Sequence, residues 1–240
     1  MKPLWEYFKF LIRGLPTPPD RDFHFLKSGM LIFDIGANMG NYAALFAKRG
    51  AKVIALEPQP FCYGFMRYRF LFNGAIKLIQ AASGEREGTM QMTVSSAHTL
   101  SSLNTEWIKK VNDSQRFKQH GPTWDEKIDV HVTTLDKLIG VHGTPDYIKI
   151  DVEGFEKNVI AGLSQKVRCV SFEFTFPELK TDAIDCIHML DKLGRYDYVS
   201  LLDNSGATLV SSETIIGEIE TLCNKGELSN GDIFAHLAND

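Results

Sequence analysis

The sequence predicts an α/β protein with a doubly wound, mostly parallel, Rossmann-like sheet. Three observations carry that prediction. Apolar, strand-length runs alternate with helix-length segments along most of the chain. The first run, LIFDIGANMG at Leu31–Gly40, sets a strand, a tight glycine turn and a helix start in succession. The second run closes on an acidic residue, Glu57, about 20 residues past that turn.

Taken in order, Met30–Ile35 is a buried strand, Asn41–Arg49 a helix stopped by Gly50, and Lys52–Leu56 a second strand. Phe61–Phe72 reads as an aromatic-rich helix closed by Asn73-Gly74, and Ile76–Ala81 as a third strand. The rhythm then breaks. Thr89–Val94 and Ile128–Thr133 alternate like paired strands, and between them Ser95–Lys127 is polar and Ser-rich. This predicts an insertion over about 88–130, with a long mobile loop that helps form the substrate site. The α/β pattern resumes with a strand at Tyr147–Val152, a helix at about Phe155–Leu163, a strand at Arg168–Phe174 and a helix at Thr181–Leu193. Tyr198–Leu202 and Asp232–Leu237 read as the last strands.

The 240 residues suffice for one large domain, expected over 21–240. Before it, Leu4, Trp5, Phe8, Leu11 and Ile12 recur at helical spacing. The expectation for 1–20 is an amphipathic helix and a Pro/Gly linker, GLPTPPD, with the helix packing on the domain or on a second subunit of a homodimer. A membrane-surface or pocket-covering role is the sharper alternative. Glu6 and Lys9 interrupt any signal-peptide core, and no apolar run reaches the roughly 18 residues of a membrane span. Cys62, Cys169, Cys186 and Cys223 form no CxxC pair and read as reduced thiols of a cytoplasmic protein. The net charge of −4 argues against nucleic acid as substrate.

The turn discriminates between cofactors. A dinucleotide site wants GxGxxG, which cradles a pyrophosphate. Here Gly36-Ala37-Asn38-Met39-Gly40 lacks the second and third glycines of that spacing, and Asp34 stands where an anionic cofactor gains nothing from a carboxylate. S-adenosylmethionine carries a sulfonium, an ammonium and a ribose instead. Asp34 suits the cationic end, directly or through water, and Glu57 can accept both ribose hydroxyls. Gly36 lets the ligand approach the backbone, Asn38 tolerates a left-handed conformation, and Gly40 allows the helix to start close against the strand. Gln80 and Ala81, ending the third strand, are candidates for the adenine side, with Tyr42 and Phe61 as its walls or simply as core.

On these residues the chain resembles the FkbM-type methyltransferases. The resemblance rests on DIGANMG at Asp34–Gly40, EP at Glu57-Pro58, Asn73, TLD at Thr134–Asp136 and, most distinctively, KIDVEGFE at Lys149–Glu156. It covers roughly Met30–Phe176. Where such proteins often carry Ser or Thr, this chain has Ala43. The resemblance implies a class I methyltransferase fold with a mostly parallel seven-stranded sheet. It also implies S-adenosylmethionine as cofactor, S-adenosylhomocysteine as product, and O-methylation, often of sugar hydroxyls or natural products. Pro58 joins Glu57 at the cofactor on the same ground.

KIDVEGFE emerges where a strand meets the ligand-binding edge. Methyl transfer to an alcohol needs a base or a metal, and Asp151 and Glu153 are the leading candidates, with His98 in the insertion third. The bland alternatives are that Asp151 binds cofactor or caps a helix, and that Glu153 pairs with Lys149. Glu173 sits in the apolar SFEFTF run and, with Asp151, could bind a divalent cation through oxygen. The metal-free arrangement is favoured, since paired carboxylates at sheet edges also occur without a cation. The leading reading is an O-methyltransferase acting on a carbohydrate or a glycosylated or natural-product hydroxyl. The alternatives are an NAD-dependent oxidoreductase and a binding module that holds the cofactor without turnover.

Overall fold

A computed structural model describes residues 23–96, 100–114, 123–203, 208–225 and 229–238. The helix expected over 1–20 and the candidate base His98 lie outside the described residues. In chain order the elements are β1 (Leu31–Ile35), α1 (Asn41–Lys48), β2 (Lys52–Leu56), α2 (Pro60–Arg69), β3 (Ile76–Ile79), β4 (Ala82–Ser83), β5 (Gly88–Val94), α3 (Thr105–Ser114), β6 (Glu126–Thr133), α4 (Leu135–His142), β7 (Tyr147–Ile150), α5 (Glu156–Ala161), β8 (Cys169–Phe176), α6 (Lys180–Leu193), β9 (Tyr196–Val199), β10 (Leu209–Val210), α7 (Ser212–Asn224) and β11 (Ser229–Leu237).

The main sheet runs β10-β9-β11-β8-β7-β1-β2-β3. Strands β3, β2, β1, β7 and β8 are parallel, whereas β11 enters antiparallel between β8 and β9. The expected seven strands are therefore eight, because Leu209–Val210 adds a short antiparallel edge strand to β9. The chain steps outward from β1 to β3 and then returns to pair β7 with the other side of β1. That reversal is the topological switch point, where open α/β sheets bind their ligands beyond the strand C-termini.

Apolar side chains on both faces explain why these strands are continuous hydrophobic runs. On one face Ile148, Ile150, Val170, Phe172 and Ile233 pack against Leu138 of α4, Val159 of α5, Ile187 of α6 and Ile215 of α7. On the other, Ile32, Val53 and Tyr147 meet Phe46 of α1, Met66 and Phe70 of α2, and Phe23. Phe23 sits edge-on to Tyr42, Phe46 and Phe234. Among the described residues three helix starts have side-chain caps: Asn104 accepts from the Trp107 N–H, Thr134 from the Lys137 N–H, and Ser211 from the Thr214 N–H.

The expected pair Thr89–Val94 and Ile128–Thr133 is present as β5 and β6, whereas the described part of Ser95–Lys127 departs from the expectation of a polar, mobile loop. Strands β4, β6 and β5 form a separate three-stranded sheet around Ala82, Met92, Val130 and Val132. Between β5 and β6, α3 buries Trp107, Ile108 and Val111 against Leu179. The mobile-loop reading is corrected for this helix. Its apolar residues at i, i+1 and i+4 give it one face to bury.

Candidate active site at the sheet switch point

Register places the two key turns side by side. Asp34 pairs with Lys149 and Ile35 with Ile150, and the Asp151 N–H donates to the Ile35 carbonyl at 2.9 Å. Gly36 follows with φ 83°, and a Cβ there would lie 1.8 Å from the Asp151 carbonyl oxygen. Glycine at this position is thus what lets the turn after β1 touch the end of β7. Asn38 also adopts a left-handed backbone, φ 50°. Gly40 is tight for a reason different from the expected one. Its Cβ would strike Phe70 and Met66, so the close packing is onto α2, not the strand.

Glu57 is buried at the end of β2. Its two oxygens accept the Asn38 and Gln59 N–H groups, each at 2.8 Å, so it braces the turn after β1 from the neighbouring strand. Burial pushes its carboxyl up to about 7 despite these bonds. Asp34 is also buried, and no hydrogen bond of good geometry reaches its carboxylate oxygens. Burial raises it to about 6, opposed by Lys149 and, more weakly, by the Ala43 N–H. A buried carboxyl so sparsely matched by its own chain is suited to a cationic ligand. Pro58 is half-buried beside Glu57, Ala81 is buried past β3 and Gln80 is exposed there. The Glu57 N–H bonds the Ile79 carbonyl, which keeps this strand end next to β2.

On the β7 side, Lys149 is fully buried with its ammonium 2.7 Å from Asp151 Oδ2 and 4.2 Å from the centre of the Tyr42 ring. Burial works against its charge, but Asp151, Asp232 and Asp34 outweigh it and hold the ammonium above the ordinary lysine range. The partner of Lys149 is therefore Asp151, not Glu153, and Tyr42 supports the lysine with its ring face. Asp151, Glu153 and Glu173 each bring a carboxylate oxygen within 4.8 Å of the others. Burial, with repulsion from Asp151 and Glu156, drives Glu153 and Glu173 well above the ordinary glutamate value. Among the described residues these three are the group that could hold a divalent cation, and such acidic groups are also common without one.

One residue escaped the sequence reading although it lies in the quoted motif. Glu156 Oε1 accepts the Val152 and Gly154 N–H groups, at 3.1 and 3.2 Å, and so ties the turn after β7 to the first turn of α5. Burial raises it to about 7. An acidic residue at a helix start was the available signal.

The family model for the methyltransferase FkbM domain matches residues 34–200. The chain belongs to the FkbM methyltransferase family. Two curated methyltransferases are similar to it: methyltransferase sdnD of Sordaria araneosa is 29% identical, over 66% of this chain and 70% of its own length. The 31-O-demethyl-FK506 methyltransferase FkbM of Streptomyces tacrolimicus is 26% identical, over 78% of this chain and 76% of its own. A solved FkbM methyltransferase from Methylobacillus flagellatus superposes with a TM-score of 0.50 and 16% identity, over 76% of this chain. This chain spans 44% of that protein's length, and the likeness concerns the fold. The chain is thus an S-adenosylmethionine-dependent methyltransferase, and the switch point between β1 and β7 is the place where open α/β sheets in general bind ligands. Among the described residues, no helix is long and apolar enough to cross a membrane.

Proposed function

We propose that this protein is an O-methyltransferase that methylates a hydroxyl of a carbohydrate or of a glycosylated or natural-product acceptor. The observation that carries the reading is the carboxylate cluster Asp151, Glu153 and Glu173, set against the turn that contains Gly36. The donor residues fit the cofactor: a buried, sparsely hydrogen-bonded carboxyl at Asp34, a backbone opened by Gly36, and an acidic residue, Glu57, at the neighbouring strand end. Asp34, Gly36, Asn38, Gly40, Glu57, Pro58, Gln80 and Ala81 would hold it. Bound there, S-adenosylmethionine supplies a methyl group already activated on a sulfonium sulfur.

The chain's own residues then have three tasks. Alignment comes first, since well-oriented reactants gain about 7–11 kcal/mol. Proton removal comes second. Burial and the neighbouring Asp151 raise the Glu153 carboxyl, and its ionised form takes the hydroxyl proton onto the carboxylate. Asp151, ion-paired to Lys149, orients the acceptor hydroxyl beside it. Excluding water comes third, and the buried Trp107, Ile108 and Val111 of α3 cover the neighbourhood of Gly154 and Leu179. The test is transfer of a labelled methyl group from S-adenosylmethionine to a panel of methyl glycosides and macrolide alcohols. Labelled ether products support the reading. Label appearing only on amines or carbon would contradict it.

A further inference from the structure

The turn at Val152–Gly154 is held in a conformation that a chain does not choose unaided. Glu153 has φ 54° and Gly154 φ 87°, two successive left-handed residues, the first of them not glycine. Such a conformation persists where its surroundings over-determine it. From below, Glu156 takes the Val152 and Gly154 N–H groups. From above, the two carbonyls are taken by the segment between β5 and α3. Ser102 Oγ donates to the Glu153 carbonyl at 2.6 Å, and Asn104 Nδ2 donates to the Gly154 carbonyl at 2.6 Å. The Trp107 ring closes over Gly154 so tightly that a Cβ there would come within 2.6 Å of it.

This segment is itself anchored. Ser102 exchanges backbone hydrogen bonds with Thr93 of β5, at 3.0 and 3.1 Å. Asn104 Oδ1 accepts the Trp107 N–H at 2.9 Å, which starts α3. One residue earlier, Ser101 Oγ donates to Gln59 Oε1 at 3.0 Å, and the Gln59 N–H bonds Glu57. Three positions within four residues, Ser101, Ser102 and Asn104, thus reach both strand ends of the site.

We propose that Ser102 and Asn104 are positioning residues for methyl transfer: they clamp the Glu153 and Gly154 carbonyls and so hold the Glu153 carboxylate beside Asp151 and Glu173. The functional consequence rests on the proton-acceptor role proposed above for Glu153; the clamp itself does not. Asn104 has two separable jobs, since Oδ1 caps α3 while Nδ2 holds Gly154. Asn104→Asp keeps an oxygen for the cap and removes the donor.

The experiment compares the full-length protein with N104D and S102A. It reads hydrogen exchange over 150–156 and over 105–114, and the 13C signal of the Glu153 carboxyl at fixed pH, assigned by its loss in E153Q. The expected result is exchange at Val152 and Gly154 about tenfold faster in each variant, the opening expected for one lost hydrogen bond. The Glu153 signal moves, and in N104D the 105–114 helix stays protected. A role confined to building α3 would instead release 105–114 and leave the Glu153 signal in place, which overturns the proposal. Unchanged exchange over 150–156 in both variants overturns it too. Should N104D fail to fold, S102A carries the same two outcomes. The readings fail separately: E153Q with unchanged labelled-methyl transfer to the methyl glycoside and macrolide panel removes the proton-acceptor role and leaves the exchange result standing.

Discussion

The turn after β1 and the segment from Leu100 to Ser114 meet at the same site, yet they are built on opposite terms. The first is backbone geometry. Gly36 and Asn38 take left-handed conformations, and buried Glu57 braces the Asn38 N–H. The second is side-chain work: Ser101, Ser102, Asn104 and Trp107 each reach out to a turn made elsewhere. A site of the first kind is fixed by a short local spelling and tolerates little change. One of the second kind can vary around its contacts.

That contrast can be broken most severely at Gly36. Alanine there would put its Cβ into the Asp151 carbonyl and force a residue with φ 83°. We expect G36A to lose roughly 3 kcal/mol or more of stability in urea unfolding. Calorimetry should find no S-adenosylhomocysteine binding. Near-normal binding would show that the two turns are not packed as described.

Next in size is Glu153→Gln, which removes the proposed proton acceptor. Labelled-methyl transfer should fall by about 10²–10⁴-fold, with S-adenosylhomocysteine affinity changed far less. Equal losses in both would make Glu153 a cofactor-binding residue. Glu57→Ala acts on the other region. It removes a charged acceptor from the Asn38 and Gln59 N–H groups, and the affinity should drop by the equivalent of about 1.5–3 kcal/mol. An unchanged dissociation constant would contradict this.

A pH effect sharpens the same comparison. Asp34, Glu57 and Glu156 titrate higher folded, at about 6, 7 and 7, than their unfolded values near 4. The folded state therefore binds these protons more tightly. Their contribution to stability is fully present below the unfolded pKa and is lost as pH rises through about 6–7. A two-unit shift is worth roughly 2.7 kcal/mol. The melting temperature of the cofactor-free protein should fall over that window, and Glu57→Gln should flatten the fall. A melting temperature that climbs from pH 5 to 7.5, with no difference in the variant, would contradict these directions. The smallest expected effect is that of a chelator. Methyl transfer should survive it, and activity lost to chelator and restored by magnesium would assign Asp151, Glu153 and Glu173 to a cation.

How much of this was legible in the sequence follows the same divide. The parallel strands β1, β2, β7 and β8 announce themselves as apolar runs because both faces are largely buried, and Asp34, Gly36, Asn38 and Glu57 stand out as polar or glycine residues at their ends. Helix α7 has a Ser211 cap and the edge strand β10 only two residues, and neither produced a reading; short edges and amphipathic terminal helices carry weak patterns. The Ser-rich composition of 95–104 reads as loop because serine and asparagine favour turns. Their partners here, the Glu153 and Gly154 carbonyls, lie about fifty residues away and are invisible to local spacing. The Asn104-Thr105-Glu106-Trp107 run did carry a helix start, an N-cap followed by an acidic first turn and an apolar face.

The most direct test of the central claim is calorimetric titration of the purified protein with S-adenosylhomocysteine, with NADH as control. Micromolar binding of the first and none of the second is the predicted result. Binding of NADH alone would contradict the assignment of Asp34 and Glu57 to a cationic, phosphate-free cofactor.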